Sequence, residues 1–203
     1  MACERTPERA SPADGLEGSE HLAFSCTNCG DCCRRHRVGL THLDLARLSQ
    51  ALAVPPASLV EWLPPDQVDL NAESASMVLV PGGSRLMVLA HEGDACTLLD
   101  ASNRCRAYSA RPLDCRLYPF VLERGVDRKV TRLTLFEPAG CGELKAERES
   151  LSDLERADAE RWAELAAYRS LVALWNRLAR HRARLRHRSR GQPDFLAFLA
   201  ARA

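Results

Sequence analysis

Four cysteines within eight residues constrain this chain more than any other feature of its sequence. The segment FSCTNCGDCCRRHR, residues 24–37, has the spacing C-x2-C-x2-C-C, formed by Cys26, Cys29, Cys32 and Cys33. A C-x2-C loop can direct two sulfurs at one centre, which is why it recurs in zinc and iron–sulfur sites. Gly30 lies inside the loop and allows backbone conformations that a ligand-wrapping turn often needs. The segment therefore predicts a thiolate site for zinc or iron.

The order of the cysteines leaves two arrangements open. Three Cys at successive x2 spacing are similar to the run by which ferredoxins supply most ligands of one cluster, although the following x3-C-P is absent here. Because neighbouring side chains tend to point apart, we expect Cys32 and Cys33 to serve two metals, or one of them to have another role. Further thiols follow at Cys96, Cys105, Cys115 and Cys141. Without Cys3 the eight Cys suffice for two four-thiolate sites, so one centre and two centres are both possible.

The cellular compartment decides between metal ligands and disulfides. Residues 1–20 are polar, contain scattered Pro, Gly and Ser, and lack the apolar core of a secretory signal. No later stretch approaches the ~20 apolar residues of a membrane span. We therefore expect a cytoplasmic protein. In that reducing compartment thiols bind metal or do redox chemistry rather than pair permanently, which favours metal ligands over disulfides. Cys3 lies in the tail, where we expect no ligand role.

The charge balance argues against two classes of partner. Lys plus Arg is 28 and Asp plus Glu is 27, which gives a formal net charge of +1. Nothing in that balance calls for nucleic acid or an anionic membrane. The basic stretch at residues 180–190 is interpreted as a solvated face near a helix C-terminus, where basic residues suit the helix dipole.

The hydrophobic pattern predicts an α+β fold, a small metal-organised domain with short strands and loops followed by a helical C-terminal extension. We expect a disordered tail over residues 1–20, the cysteine-cluster domain over 21–143 and the extension over 144–203. In the domain, Thr41 caps a helix, residues 57–63 form a short helical turn, and two strands flank the Pro-Gly-Gly turn. In the extension, Trp162 and Trp175 recur at helix spacing and are expected in the core, with a partner surface as the alternative.

The second cysteine segment, residues 96–120, reads C-x8-C-x2-Y-x2-RP-x2-CR-x-YPF. Together the two segments resemble the YkgJ-type cysteine-cluster family, also called CxxCxxCC or the putative zinc- or iron-chelating domain. The resemblance spans residues 24 to about 142 and rests on Phe24, Cys26, Cys29, Gly30, Cys32, Cys33, the helix after Leu40, Cys96, Cys105, Tyr108, Arg111, Pro112, Cys115, Arg116, Tyr118, Pro119, Phe120 and the late Cys141. It implies metal chelation, and some members are labelled iron–sulfur or oxidoreductase proteins. A similar cluster occurs in the longer flagellin lysine N-methylases, but this sequence shows no recognisable extra catalytic domain, so methylation is not carried over.

The residues around the sulfurs have a physical interpretation of their own. A four-thiolate zinc site and a common four-iron cluster both carry net negative charge. Arg111 and Arg116 flank Cys115 and would donate hydrogen bonds to sulfur or offset that charge, with surface ion pairing as the alternative. Three aromatic residues are expected to pack around the site and limit water access: Tyr108, Tyr118 and Phe120. The two nearby histidines are interpreted as solvent-facing or capping rather than as ligands: His36 and His42.

Three classes of function remain open. The first is a metal-binding module, structural if the metal is zinc and suited to electron transfer with a redox partner protein if it is an iron–sulfur cluster. The three-Cys run favours iron–sulfur slightly. The second is an iron–sulfur oxidoreductase or cluster-dependent group-transfer enzyme, disfavoured because the sequence has no Gly-rich dinucleotide loop, P-loop or nucleophile–base pair. The third is metal storage or delivery, which exposed thiolates would favour.

Overall fold

The computed structural model describes residues 21–23, 29–126, 130–135, 148–184 and 194–202. The α-helices in these ranges are α1 (Asp31–Arg35), α2 (His42–Leu52), α3 (Leu70–Glu73), α4 (Leu113–Leu117), α5 (Leu151–Arg184) and α6 (Phe195–Ala200). The strands are β1 (His21–Ala23), β2 (Val60–Leu63), β3 (Val78–Val80), β4 (Gly83–Leu89), β5 (His91–Glu92), β6 (Ala95–Cys96), β7 (Phe120–Arg124), β8 (Val130–Leu135) and β9 (Arg148–Ser150). Helices and small sheets of short strands confirm the α+β prediction.

Two further predictions concern the N-terminal tail and membrane-spanning helices. The predicted tail at residues 1–20 lies outside the described residues. Within the described part, none of the helices combines the length and the apolar character that crossing a bilayer requires.

A three-stranded antiparallel sheet with the order β2-β4-β3 is the largest sheet among the described residues. Strands β3 and β4 flank the Pro-Gly-Gly turn, which confirms that prediction. The predicted helical turn at 57–63 is wrong in its second half: a 3-10 turn covers Pro56–Leu59, and Val60–Leu63 forms strand β2. The register pairs Val60 with Leu89 and Leu63 with Leu86. The reason is tertiary, because pairing with β4 satisfies the backbone of this short apolar segment.

Helix α2 begins at the predicted cap. Thr41 accepts a hydrogen bond from the Asp44 backbone N–H, and the Asp44 side chain accepts one from the Thr41 backbone N–H, which completes a capping box. Leu45 and Leu48 lie on the buried face of the helix. Asp44 itself is only 3% exposed.

Helices α5 and α6 complete the main core. Tyr168, Val172 and Trp175 of α5 are buried with Phe195 of α6 in the same cluster as residues of α2 and β4. Trp175 and Phe195 meet edge to face, with ring centroids 5.3 Å apart. The main core therefore takes residues from both sides of residue 143, and the division into domain and extension stays a prediction.

Trp162 lies outside this core, so its predicted burial is wrong. The side chain is 51% exposed. It lies six residues before Tyr168, which at 3.6 residues per turn places it about 120° around the helix from the buried face. The spacing that unites Tyr168, Val172 and Trp175 thus does not extend to Trp162.

Side chains of α5 also hydrogen-bond the outer edge of β3. The Asn176 amide accepts from the Leu79 N–H at 2.7 Å and donates to the Met77 carbonyl at 2.8 Å. Trp175 Nε1 donates to the Leu79 carbonyl at 2.7 Å. The helix therefore pairs the backbone groups that a neighbouring strand would otherwise use.

Candidate metal centre

Helix α1 carries Cys32 and Cys33 and starts directly after Gly30. Gly30 has φ 72°, and a Cβ at this position would lie 2.8 Å from Arg34 Nη1 and 3.1 Å from Leu99 Cδ1. Arg34 also donates to the Cys29 carbonyl at 3.3 Å, which ties the helix back to the preceding cysteine. Glycine is needed here both for the left-handed backbone and for the close packing.

The two adjacent thiols do not point apart. Cys32 Sγ and Cys33 Sγ are 3.9 Å apart, and both line the same cleft. The expectation that they serve separate metals because their side chains diverge is therefore wrong in its premise. Successive residues in a helix differ by about 100° in direction, which still allows both side chains to reach one side of so short a helix.

Cys96 and Cys105 come from a compact double turn. Cys96 ends the β5–β6 hairpin, where it pairs with His91. The chain then turns at Asp100, whose Oδ1 accepts from the backbone N–H groups of Ser102 and Arg104. An isolated bridge joins Leu99 to Cys105, so the two sulfur-bearing segments are held next to each other.

Cys115 is the third residue of α4. The N–H of Leu113, the first residue of this helix, donates to Asp44 Oδ1 at 3.1 Å. Asp114 is ion-paired with Arg161 of α5. Thus both residues that precede Cys115 are anchored to other parts of the fold.

These segments bring five of the eight predicted ligands to one cleft of about 520 Å³, namely Cys32, Cys33, Cys96, Cys105 and Cys115. Cys29 is described and partly buried but is not among the lining residues. Cys26, Cys141 and the non-ligand Cys3 lie outside the described residues. No three His, Cys, Asp or Glu side chains in the described ranges form a ready metal-binding group. The ligand set stays a prediction.

The surroundings in the cleft shift the pKa values of its thiols strongly. A hydrogen bond from Cys33 lowers the pKa of Cys32 to about 7, and the same bond raises the pKa of Cys33. Burial raises the pKa of Cys96 and Cys105, and raises that of Cys115 well above its usual value. A metal would therefore displace protons from most of these thiols when it binds.

Arg111 and Arg116 differ in their placement. Arg111 lines the cleft, and its positive charge adds to the lowering of the Cys32 pKa that the Cys33 hydrogen bond causes and offsets part of the rise that burial causes in the pKa of Cys105. Its guanidinium lies 3.8 Å from the centre of the Tyr108 ring. Arg116 is exposed and does not line the cleft. The geometry places Arg111, and not Arg116, where it can offset thiolate charge.

The predicted aromatic shield is partial. Tyr118 and Phe120 line the cleft, and Phe120 is buried, whereas Tyr108 at the cleft is 48% exposed. His36 is half-buried rather than solvent-facing, with Nε2 3.3 Å from Tyr118 Oη, while its backbone N–H caps α1 by donating to Cys32 O. His42 stacks on Tyr168, away from the cleft.

Sequence reasoning missed several cleft residues, of which His91 had a readable signal. His91 is paired with Cys96 across a hairpin whose two-residue turn is Gly93-Asp94. Such a turn between two short strands predicts that the flanking residues lie opposite each other. Arg161 and Trp162 of α5 also line the cleft. No local pattern could have placed that helix beside the cysteines.

Comparison with protein families gave a match that spans both cysteine segments. The family model CxxCxxCC, described as a putative zinc- or iron-chelating domain, matches residues 25–142. Comparison with curated proteins and with solved structures gave no significant match. The match covers more than half of the chain and includes every cysteine except Cys3, so this protein belongs to the CxxCxxCC family.

Proposed function

We propose that this protein holds zinc or iron through the cysteine thiolates of the cleft. The observation that carries the proposal is that five sulfurs, from α1, the β6 segment and its following turn, and α4, line one cleft. Thiolates are the ligands that structural zinc sites and iron–sulfur clusters share. The six cysteines that the structure describes are free thiols, as this chemistry needs.

The proposed ligand set centres on the cleft. Cys32, Cys33, Cys96, Cys105 and Cys115 are the proposed donors. Cys29 stands beside α1, and with Cys26 and Cys141 it completes the eight thiols expected from the motif. Since the described donors share one cleft, we favour one centre, or two adjacent ones, over two distant sites.

Within this proposal we favour an iron–sulfur centre. The C-x2-C-x2-C run is typical of cluster ligation, and the cleft offers more thiols than one zinc ion requires. When bound, a cluster supplies one-electron chemistry. Arg111 would offset its negative charge, and Tyr118 and Phe120 would restrict water at its wall. With this choice we propose an electron-transfer role with a redox partner protein, in the cytoplasm that the sequence predicts.

A specific distance favours zinc as the second candidate. With Zn–S bonds of about 2.3 Å, two thiolates of a tetrahedral site lie about 3.8 Å apart. The 3.9 Å between Cys32 Sγ and Cys33 Sγ is close to that value. Four thiolates leave no open position on zinc, so its role would be structural.

Anaerobic purification followed by iron, zinc and acid-labile sulfide analysis tests the proposal. We expect iron and sulfide with broad absorption in the visible range, and loss of both in Cys96→Ser and Cys29→Ser. Cys3→Ser is the matched control, because Cys3 lies outside the motif, and it should leave the metal content unchanged.

The other outcomes are equally informative. Stoichiometric zinc in a colourless protein would rule out electron transfer and select the structural chelate. Wild-type protein that takes up neither metal under reducing conditions would refute metal binding in the cleft.

A further inference from the structure

Asp44 is a buried carboxylate with more partners than a helix cap requires. Its Oδ2 accepts from the Thr41 backbone N–H at 3.0 Å and from Thr41 Oγ1 at 2.9 Å. Its Oδ1 accepts from Arg47 Nη2 at 2.6 Å and from the Leu113 N–H at 3.1 Å. Oδ2 closes the capping box of α2, whereas Oδ1 joins α2 to α4.

The bond to Leu113 acts at the start of the helix that carries Cys115. The first N–H groups of a helix have no partner within it, and a negative charge beside them is favourable. Leu113 is itself 3% exposed, so its N–H relies on Asp44 rather than on bulk water. Asp44 therefore fixes the backbone two residues before the Cys115 thiol.

Helix α5 supports the same arrangement from the other side. Arg47 donates to Glu164 Oε1 at 2.6 Å and to Glu164 Oε2 at 2.9 Å, in a bidentate pair. Arg161, almost one turn before Glu164, is ion-paired with Asp114. Both α5 residues lie beyond residue 142, where the family match ends. The Cys115 segment is thus fixed by groups outside the matched region as well as within it.

We propose that Asp44 is a positioning residue for Cys115 and that Glu164 and Arg161 of α5 hold the assembly in place. Helix α5 then holds in place the segment of the cleft that carries Cys115. The consequence for metal binding rests on the proposed function, whereas the placement of the thiol does not.

Thiol labelling of the metal-free protein tests the placement directly. Tryptic digestion separates Cys115, in the peptide 107–116, from Cys96, in the peptide 86–104. We expect iodoacetamide to label Cys115 at least about threefold faster in Asp44→Asn and in Glu164→Gln than in wild type. Asparagine has a single acceptor oxygen and no charge, so it cannot serve both α2 and α4. The Cys96 rate should not change.

Glu160→Gln is the matched control, because Glu160 is exposed on α5 one turn before Glu164. It should label like wild type at both cysteines. Equal acceleration at Cys96 and Cys115 would show a general loosening and overturn the proposal, as would unchanged Cys115 labelling in both variants.

Metal release to a chelator gives a second measurement. The bound metal should leave Asp44→Asn and Glu164→Gln several-fold faster than Glu160→Gln. If wild type binds no metal, the proposed function fails while the labelling result still decides the role of Asp44. If wild type binds metal and the release rates are equal, the positioning role is refuted and metal binding stands.

Discussion

At the residue scale, Gly30 sets how α1 presents its two thiols. It occupies a left-handed backbone conformation between Cys29 and the helix, and it packs against Arg34 and Leu99. A Cβ would have to displace both neighbours. A single methyl group at this position therefore acts on the orientation of Cys32 and Cys33.

We predict that Gly30→Ala lowers the free energy of unfolding of the metal-free protein by about 1–2 kcal/mol, the usual cost of a left-handed non-glycine residue. It should also weaken metal binding. Urea denaturation and metal titration measure the two effects. Gly39→Ala is the control, since a Cβ there meets nothing within 4 Å, and it should change stability by less than about 0.5 kcal/mol. Equal effects of the two substitutions would contradict the prediction.

The cysteine ligands could be proposed from the sequence because thiol spacing is a local pattern. The relative direction of Cys32 and Cys33 could not, since it depends on α1 forming immediately after Gly30. Arg111 and Arg116 show the same limit. Both flank Cys115 in sequence, yet only Arg111 lines the cleft.

At the element scale, β3 depends on α5 for the hydrogen bonds of its outer edge. We predict that Asn176→Ala lowers the free energy of unfolding by about 1–3 kcal/mol, because it leaves the Leu79 N–H and the Met77 carbonyl without this partner. Chemical denaturation followed by circular dichroism measures it. Arg177→Ala, exposed at the next position of α5, should be nearly neutral. A neutral Asn176→Ala would show that water replaces the amide fully.

Elements with complete local signals were predicted well, and elements made by pairing were not. The α2 cap and the β3–β4 turn have their signals within a few residues. Strand β2 was mistaken for a helical turn because only its pairing with β4 selects the extended form. Trp162 was misplaced because its helix face differs from that of Tyr168 by about 120°.

At the scale of the whole molecule, buried and half-buried titratable groups set the pH range of stability. Burial raises thiol pKa values above the usual 9.0 at Cys96, Cys105 and Cys115, and lowers imidazole pKa values below the usual 6.5 at His36, His42 and His91. Above about pH 9 the unfolded chain loses its thiol protons first. Below about pH 6.5 the unfolded chain gains imidazole protons first. Both effects favour unfolding.

Cys32 acts in the other direction: the hydrogen bond from Cys33 lowers its pKa to about 7, so this thiol adds stability as the pH rises from about 7 to 9. We therefore predict that the melting temperature of the metal-free protein is highest at about pH 8 and falls on the acidic and the alkaline side. On the acidic side metal binding should follow the same trend, with a metal-induced increase in melting temperature that grows from about pH 6 to pH 8 as protons leave the thiols. Calorimetry of both forms across this range measures the effects. A metal-free protein that becomes more stable above pH 9 would contradict the assignment of buried, protonated thiols.

The meeting of distant segments was the least predictable feature. Cys33 and Cys96 line one cleft although two α-helices and four strands lie between them in sequence. The family resemblance supplied that grouping in outline, but nothing local indicates that α5 forms a wall of the cleft with Arg161 and Trp162. Such convergence depends on packing of the whole chain.

The hydrogen bonds that Asn176 and Trp175 make along the edge of β3 also affect the risk of aggregation during folding. An open strand edge is a template for pairing with other molecules, and β3 is an edge strand of its sheet. Helix α5 comes late in the sequence, so during synthesis β3 emerges well before the side chains that cover it. A weakened α5 would therefore reveal itself first as concentration-dependent aggregation on refolding, and only later as a loss of the folded state.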